Sequence, residues 1–348
     1  MRVVKSLIGI ILVLALIVLA YFNKPWCIKQ VNKVRGMYYV YQGDKQYKKH
    51  KTAFAIDKYK RALELYPEHY RAWYNLGNIY VVYEDYFSAV DAYENSIKHK
   101  PNFILARMNL GIVLSEKLGD FDGAIAQYDF ILNSKNSKLF IPFLFNNYRS
   151  IRLNKGFAYY NRGLAYKQKS MYLRDNKRHL SPGMLMKAIE SYKSAEKILK
   201  SNYDNTYNLA LAYHLSNDYK GAGTNYCKAI GISPMSYEAH YNLAILLRHL
   251  KQYRASIEEL EKATLILSEG GSDQNRMTYV FDILNDASKM MLINQAPTNV
   301  NKLSDEPLAH LDYTTVNGKI VATEDLDKAI LKNFKTCSSL TYFKELKE

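Results

Sequence analysis

One pattern of residues returns along this chain about every 34 positions, and it limits the possible folds more than any composition figure does. Asn75-Leu76-Gly77 is followed by Tyr80, Asp85-Tyr86, Ala89, Tyr93 and Pro101. Asn109-Leu110-Gly111, Asp120-Phe121, Ala124 and Tyr128 repeat it with one more residue in the turn, and Asn208-Leu209-Ala210, Tyr213, Asp218-Tyr219, Ala222, Tyr226, Ala229 and Pro234 repeat it again. A further copy reads Asn242-Leu243-Ala244, Tyr253, Ser256, Leu260 and Ala263. A Gly or Ala where helices cross lets two backbones approach, and Leu and Tyr at helical spacing form one buried stripe. A closing proline stops one helix before the next begins. Each copy therefore predicts a helical hairpin, and the series predicts an all-α solenoid of about six of them.

Two copies depart from the pattern. Ala55, Tyr59, Ala62 and Pro67 give the second helix of an opening repeat, but its first helix, near 30–42, matches poorly, and Gly43-Asp44 reads as a turn. In the fourth copy Asn161-Arg162-Gly163 and Tyr166 stand far from Ala188, Tyr192 and Ala195. The extra residues, with Lys167, Lys169, Arg174, Lys177, Arg178 and His179 before Ser181-Pro182-Gly183, read as a solvated loop. Repeats are placed near 30–69, 70–103, 104–137, 156–202, 203–236 and 237–270. The apolar 139–145 stretch reads as an extra packed turn, and the periodicity over 273–293 reads as a helix capping an array that spans 24–294.

Trp73-Tyr74-Asn75-Leu76-Gly77-Asn78-Ile79-Tyr80, with the aromatic in the turn, Ala89, Tyr93 and Pro101 after it, resembles the tetratricopeptide repeat. The resemblance implies that the first helices of successive repeats line an inner, concave face that receives extended peptides or partner helices. On that face would stand Asn75, Asn109, Asn161, Asn208 and Asn242, whose carboxamides both donate and accept and so suit a peptide backbone. The competing reading has these asparagines bonding within the stack. Tyr74, Tyr160, Tyr207 and Tyr241 precede four of them and add amphipathic contact area or core packing, while Arg71, Asn78, Arg107 and Arg248 offer contacts to an acidic ligand. The basic residues and asparagines of the chaperone-tail carboxylate clamp are not matched.

Residues 6–22 form an apolar run without charge, and at ~1.5 Å per residue it is long enough to approach the thickness of a bilayer core. Tyr21, Phe22 and Trp26 then fall where amphipathic rings meet the interface. Arg2 and Lys5 before the run also suit a secretory signal peptide, with Val18-Leu19-Ala20 as a cleavage site. The expectation adopted is an uncleaved transmembrane anchor over 1–23 with the repeats outside the cytoplasm.

Beyond the array, 295–348 reads as a linker and small extension. Asn317-Gly318 between β-branched runs predicts a β-hairpin over 313–321, and Thr323 opens a helix toward Lys335.

The formal net charge of +15 favours acidic proteins, anionic lipids or nucleic acid as neighbours. No dense basic run with the spacing of a nucleic-acid module is present, so nucleic acid is the lesser expectation. The eight histidines form no metal-binding motif, and no phosphate loop or nucleophile elbow occurs. His240 and His249 read as surface residues, and Glu258, Glu259 and Glu261 as a solvated helix face. The chain is expected to be a scaffold for a protein or peptide partner, without catalysis, cofactor or metal. The other class of function is a basic surface that binds nucleic acid or anionic envelope polymers.

Overall fold

The structure, a computed structural model, describes residues 24–134, 145–177, 181–250, 252–269 and 282–285, together with Val13, Ile17, Val18, Tyr21 and Val280. The 313–321 hairpin, the helix after it and most of the 6–22 run and the 139–145 stretch lie outside these residues. Among the described residues no helix is long and apolar enough to cross a membrane, and none is in a strand.

The chain divides into two compact units, 1–134 and 135–348. Unit one holds α1 (Lys24–Lys48), α2 (Thr52–Leu65), α3 (Tyr70–Val82), α4 (Tyr86–His99), α5 (Ile104–Glu116) and α6 (Phe121–Asn133). Unit two holds α7 (Phe145–Lys177), α8 (Ser181–Leu199), α9 (Tyr203–Leu215), α10 (Tyr219–Ile232), α11 (Tyr237–His249) and α12 (Tyr253–Glu269). Each odd-numbered helix pairs with the even-numbered helix after it, so each unit is three helical hairpins in series.

The turn inside a hairpin is written in its sequence. Asp85, Asp120 and Asp218 cap α4, α6 and α10 by accepting from the backbone N–H of Ser88, Gly123 and Gly221 at 3.1, 2.9 and 2.8 Å. Each cap satisfies a donor that the first helical turn leaves open. The residue before each Asp has positive φ: Glu84 at 60°, Gly119 at 69° and Asn217 at 62°. Of these, only Gly119 occupies that conformation without a side-chain clash.

Inside the first four hairpins a tyrosine of the second helix lies flat on a glycine of the first. A Cβ on Gly43, Gly77, Gly111 or Gly163 would sit 2.6, 2.6, 2.7 or 2.7 Å from Cε1 of Tyr59, Tyr93, Tyr128 or Tyr192. Those rings are almost wholly buried, so the crossing distance is set by glycine against aromatic face.

This packing corrects the reading of the opening repeat. Gly43 and Asp44 lie within the long helix α1, with Gly43 under Tyr59 just as Gly77 lies under Tyr93. A glycine that signals a turn to local propensity is here a packing contact, and 30–42 is the middle of a regular helix.

The fourth repeat is corrected as well. Its extra residues lengthen both helices, α7 to 33 residues and α8 to 19, where most others have 13 or 14. Lys167 and Ser170 are buried inside that extension, and Met171 packs on the core cluster of Tyr207, Leu211 and Tyr226. Lysine stems pack like apolar chains when their heads find a partner, which is why a basic segment can be a helix here. At the far end, Val280 and residues 282–285 are helical, and Val280 and Ile283 join the core of Tyr237, Tyr241, Leu260 and Ile266.

Candidate functional site

The asparagine row connects each repeat to the one before it. Asn75 Nδ2 donates to Asp44 Oδ1 at 2.9 Å and to the Tyr59 hydroxyl at 3.2 Å. Asn109 Nδ2 donates to Asn78 Oδ1 at 2.9 Å and to the Tyr74 hydroxyl at 3.4 Å. In unit two, Asn208 Nδ2 reaches the Tyr160 hydroxyl at 3.4 Å, and Asn242 Nδ2 reaches the Tyr207 hydroxyl at 2.6 Å. The tyrosine that precedes one asparagine is therefore the acceptor for the asparagine of the next repeat. Spacings of 35 between Tyr74 and Asn109 and between Tyr207 and Asn242 make this pairing readable from the repeat length.

The two units use the row differently. In unit two, Asn208, Asn242, Tyr207 and Tyr241 are buried, with Asn242 at 0% exposure. Asn208 Oδ1 also accepts from the buried Lys167 ammonium at 2.6 Å. Asn161 and Tyr160 remain half-buried. In unit one, Asn75, Asn78, Asn109 and Tyr74 are all half-buried. Asn75 uses only its amide nitrogen, and Asn78 uses only its carbonyl, which accepts from Tyr93 at 2.8 Å and from Asn109. Asn75 Oδ1 and Asn78 Nδ2 thus have no partner among the described residues. Acceptor and donor stand one helical turn apart on α3.

The basic residues placed with this row behave otherwise. Arg107 Nε donates to the Pro101 carbonyl at 2.7 Å and Nη1 to Gln127 Oε1 at 2.7 Å, with the guanidinium 3.5 Å from the centre of the Phe130 ring. It is drawn against α6, and burial lowers its pKa. Arg248 is buried at 4% exposure. Arg71 is exposed and bonds to the neighbouring Tyr70 hydroxyl at 3.2 Å.

Arg107 belongs to a second regularity. Trp73 Nε1, Arg107 Nε and His240 Nε2 each lie on the carbonyl of a proline six residues earlier, Pro67, Pro101 and Pro234, at 2.8, 2.7 and 2.9 Å. A donor at that position pins the turn between repeats to the next first helix. His240 is accordingly buried, at 1% exposure, and its Nδ1 meets Glu259 Oε2 at 2.5 Å. Glu259 also receives Lys262 at 2.5 Å. His240 and Glu259 therefore form a buried polar brace between α11 and α12, where the sequence suggested surface positions. Among the described residues no three or more His, Cys, Asp or Glu side chains converge as metal ligands do.

Beside the unit-one row lies a cavity of about 160 Å³ lined by Asp44, Tyr47, Lys48, Tyr59, Asn75 and Asn78. Asp44, Tyr47 and Lys48 were absent from the sequence-based set because Gly43-Asp44 resembled a turn. The signal that finds them is the 34-residue offset from Gly77-Asn78 to Gly43-Asp44.

Tetratricopeptide-repeat family models match residues 58–90, 204–234 and 237–266. A Drosophila melanogaster protein, the BBSome complex member BBS4 homolog, is 26% identical over 241 residues. The match takes in 68% of this chain but only 42% of that relative's length. Among solved structures, PilW, a type IV pilus biogenesis factor, is 14% identical, with 65% of this chain and 91% of that one aligned at a TM-score of 0.49. YrrB, described as a TPR protein with an unusual peptide-binding site, is 22% identical, with 62% and 90% aligned at a TM-score of 0.42. Over those three stretches the hairpins of this chain are similar to tetratricopeptide repeats.

Proposed function

We infer that this chain is an interaction scaffold whose unit-one row of first helices holds an extended segment of a protein partner. The observation that carries this reading is the pair of free valences on α3, the Asn75 carbonyl and the Asn78 amide. Both are half-buried and held by hydrogen bonds to α1, α4 and α5. A rigid donor and acceptor at such spacing satisfy a peptide backbone at low entropic cost. Tyr74 and Asn109 extend the same face, while the buried Asn208 and Asn242 serve to join repeats. The relative from Drosophila is named for membership of a complex, which agrees with a scaffold's role.

The test is selection from a random dodecapeptide library on the full chain. The Asn75→Ala/Asn109→Ala variant, its helicity checked by circular dichroism, should bind selected peptides about tenfold or more weakly, the loss of roughly one charge-free hydrogen-bond pair or two. Affinity should change little between low and high salt. A steep logarithmic fall with salt would instead favour the basic surface that binds nucleic acid or anionic polymers.

The apolar 6–22 run supports a further part of the proposal, that the scaffold is tethered to a membrane with the repeats outside the cytoplasm. Full-length chain should stay with membranes through a high-salt wash, and a chain lacking residues 1–23 should be released. Equal recovery of both in the soluble fraction would refute the tether.

A further inference from the structure

The cavity in unit one has an asymmetry that the neighbouring repeat does not share. Asp44 on α1 and Asn78 on α3 are equivalent positions, 34 residues apart. Each takes a tyrosine hydroxyl from its own hairpin, Tyr59 to Asp44 at 2.7 Å and Tyr93 to Asn78 at 2.8 Å. Each also takes the amide of the next asparagine, Asn75 or Asn109. The shared network is the same, but one repeat ends in a neutral carboxamide and the other in a carboxylate.

Hydrogen-bond chemistry fixes what the cavity presents. A carboxylate only accepts, so Asn75 must turn its NH₂ toward Asp44 and its carbonyl away. Tyr59 stays a neutral phenol, because burial first and then the hydrogen bond to Asp44 raise its pKa, and it too donates to Asp44. Both donors reach Oδ1, and Oδ2 of Asp44 has no donor among the described residues. Lys48 lines the same cavity but is exposed and makes no ion pair with Asp44. What remains open beside a space of about 160 Å³ is an anionic oxygen, Asp44 Oδ2, a neutral one, Asn75 Oδ1, and on the Asn78 side the amide donor already assigned to the peptide backbone. Two acceptors without a matching cation suit a guanidinium or ammonium head, and an acidic group would meet Oδ2 unfavourably. The chain's net charge of +15 does not decide this contact, since exposed charges beyond about 8 Å are largely screened at physiological salt.

We propose that the Asp44 cavity is a specificity subsite for an arginine or lysine side chain of the bound peptide. The inference rests on the peptide-holding reading of the row and adds the chemical class of its ligand. Selection from the same dodecapeptide library uses wild type, Asp44→Asn, Lys48→Ala and Asn75→Ala/Asn109→Ala. Asp44→Asn installs the residue that the next repeat already carries with the same two donors, so its fold should be kept. Peptides selected on wild type should share one basic position. A selected peptide should lose about tenfold in affinity, either when its arginine becomes the neutral isostere citrulline or when the protein carries Asp44→Asn. The two losses should not add, because both remove one pair. Lys48→Ala should tighten the arginine peptide two- to threefold and leave the citrulline peptide unchanged, roughly the scale of an exposed charge pair. Peptides without a basic position, or an arginine-to-citrulline ratio that Asp44→Asn does not alter, would overturn the subsite. The peptide-holding row would survive that result if Asn75→Ala/Asn109→Ala still weakened binding about tenfold or more. No enrichment on wild type above bare support would overturn both.

Discussion

Replacing Gly77 by valine is expected to cost about 3 kcal/mol, near the upper end of what overpacking a core costs. From helix propensity alone the substitution should help, since glycine in a helix interior is about 1 kcal/mol worse than alanine. Packing reverses the sign. The new Cβ would stand 2.6 Å from Cε1 and 2.7 Å from Cδ1 of Tyr93, and that ring is buried between α3 and α4. A flat ring cannot yield as a flexible chain tip does, so α3 and α4 must separate and weaken the contacts of Ala89, Ala106 and Leu110 around Tyr93.

Ala210 opposite Tyr226 is the internal control, because that hairpin already accommodates a Cβ; Ala210→Gly should cost only about 1 kcal/mol. A repeat array need not unfold in one step, so the readout is amide hydrogen exchange in α3 and α4 of the full chain. Unchanged protection in Gly77→Val would show that the glycine is not what sets the crossing distance.

His240→Ala is expected to cost about 3 kcal/mol at neutral pH, since it takes away a hydrogen-bond partner of the buried Glu259 carboxylate. The loss falls at the low end of such values because Lys262 remains on Glu259. Burial pushes the Glu259 carboxyl up, but the hydrogen bond and charge of His240, with Lys262, outweigh it and hold its pKa below the ordinary carboxylate range. A depressed folded pKa contributes stability that is present above the unfolded value and is lost as pH falls through the folded one. The difference between wild type and His240→Ala should therefore be full at about pH 7 and shrink once pH drops below about 4, the unfolded carboxylate range. A difference that stayed constant across that span would mean the brace contributes through packing rather than charge.

Much of the fold was legible because the features that specify a hairpin are local. Asp85, Asp120 and Asp218 cap their helices from within a few residues, Pro67, Pro101 and Pro234 close theirs, and the Gly–Tyr pairs recur at fixed offsets. The errors came where one residue type serves two purposes. Gly43 has the backbone freedom of a turn residue and the small volume of a packing residue, and only the position of Tyr59 decides between them. The basic run from Lys167 reads as a loop on charge alone, until Asn208 on another helix supplies the acceptor that lets Lys167 be buried.

For the site, the sequence by itself placed the asparagines in register and fixed which tyrosine each could reach, because a 34-residue repeat sets that geometry wherever helices stack. It did not determine which of them stay accessible. That was decided by tertiary burial, which closes over Asn208 and Asn242 in unit two and leaves Asn75, Asn78 and the Asp44 cavity open in unit one. Exposure depends on neighbours distant in the chain, and a repeating sequence specifies the contacts within a repeat far more fully than what surrounds it.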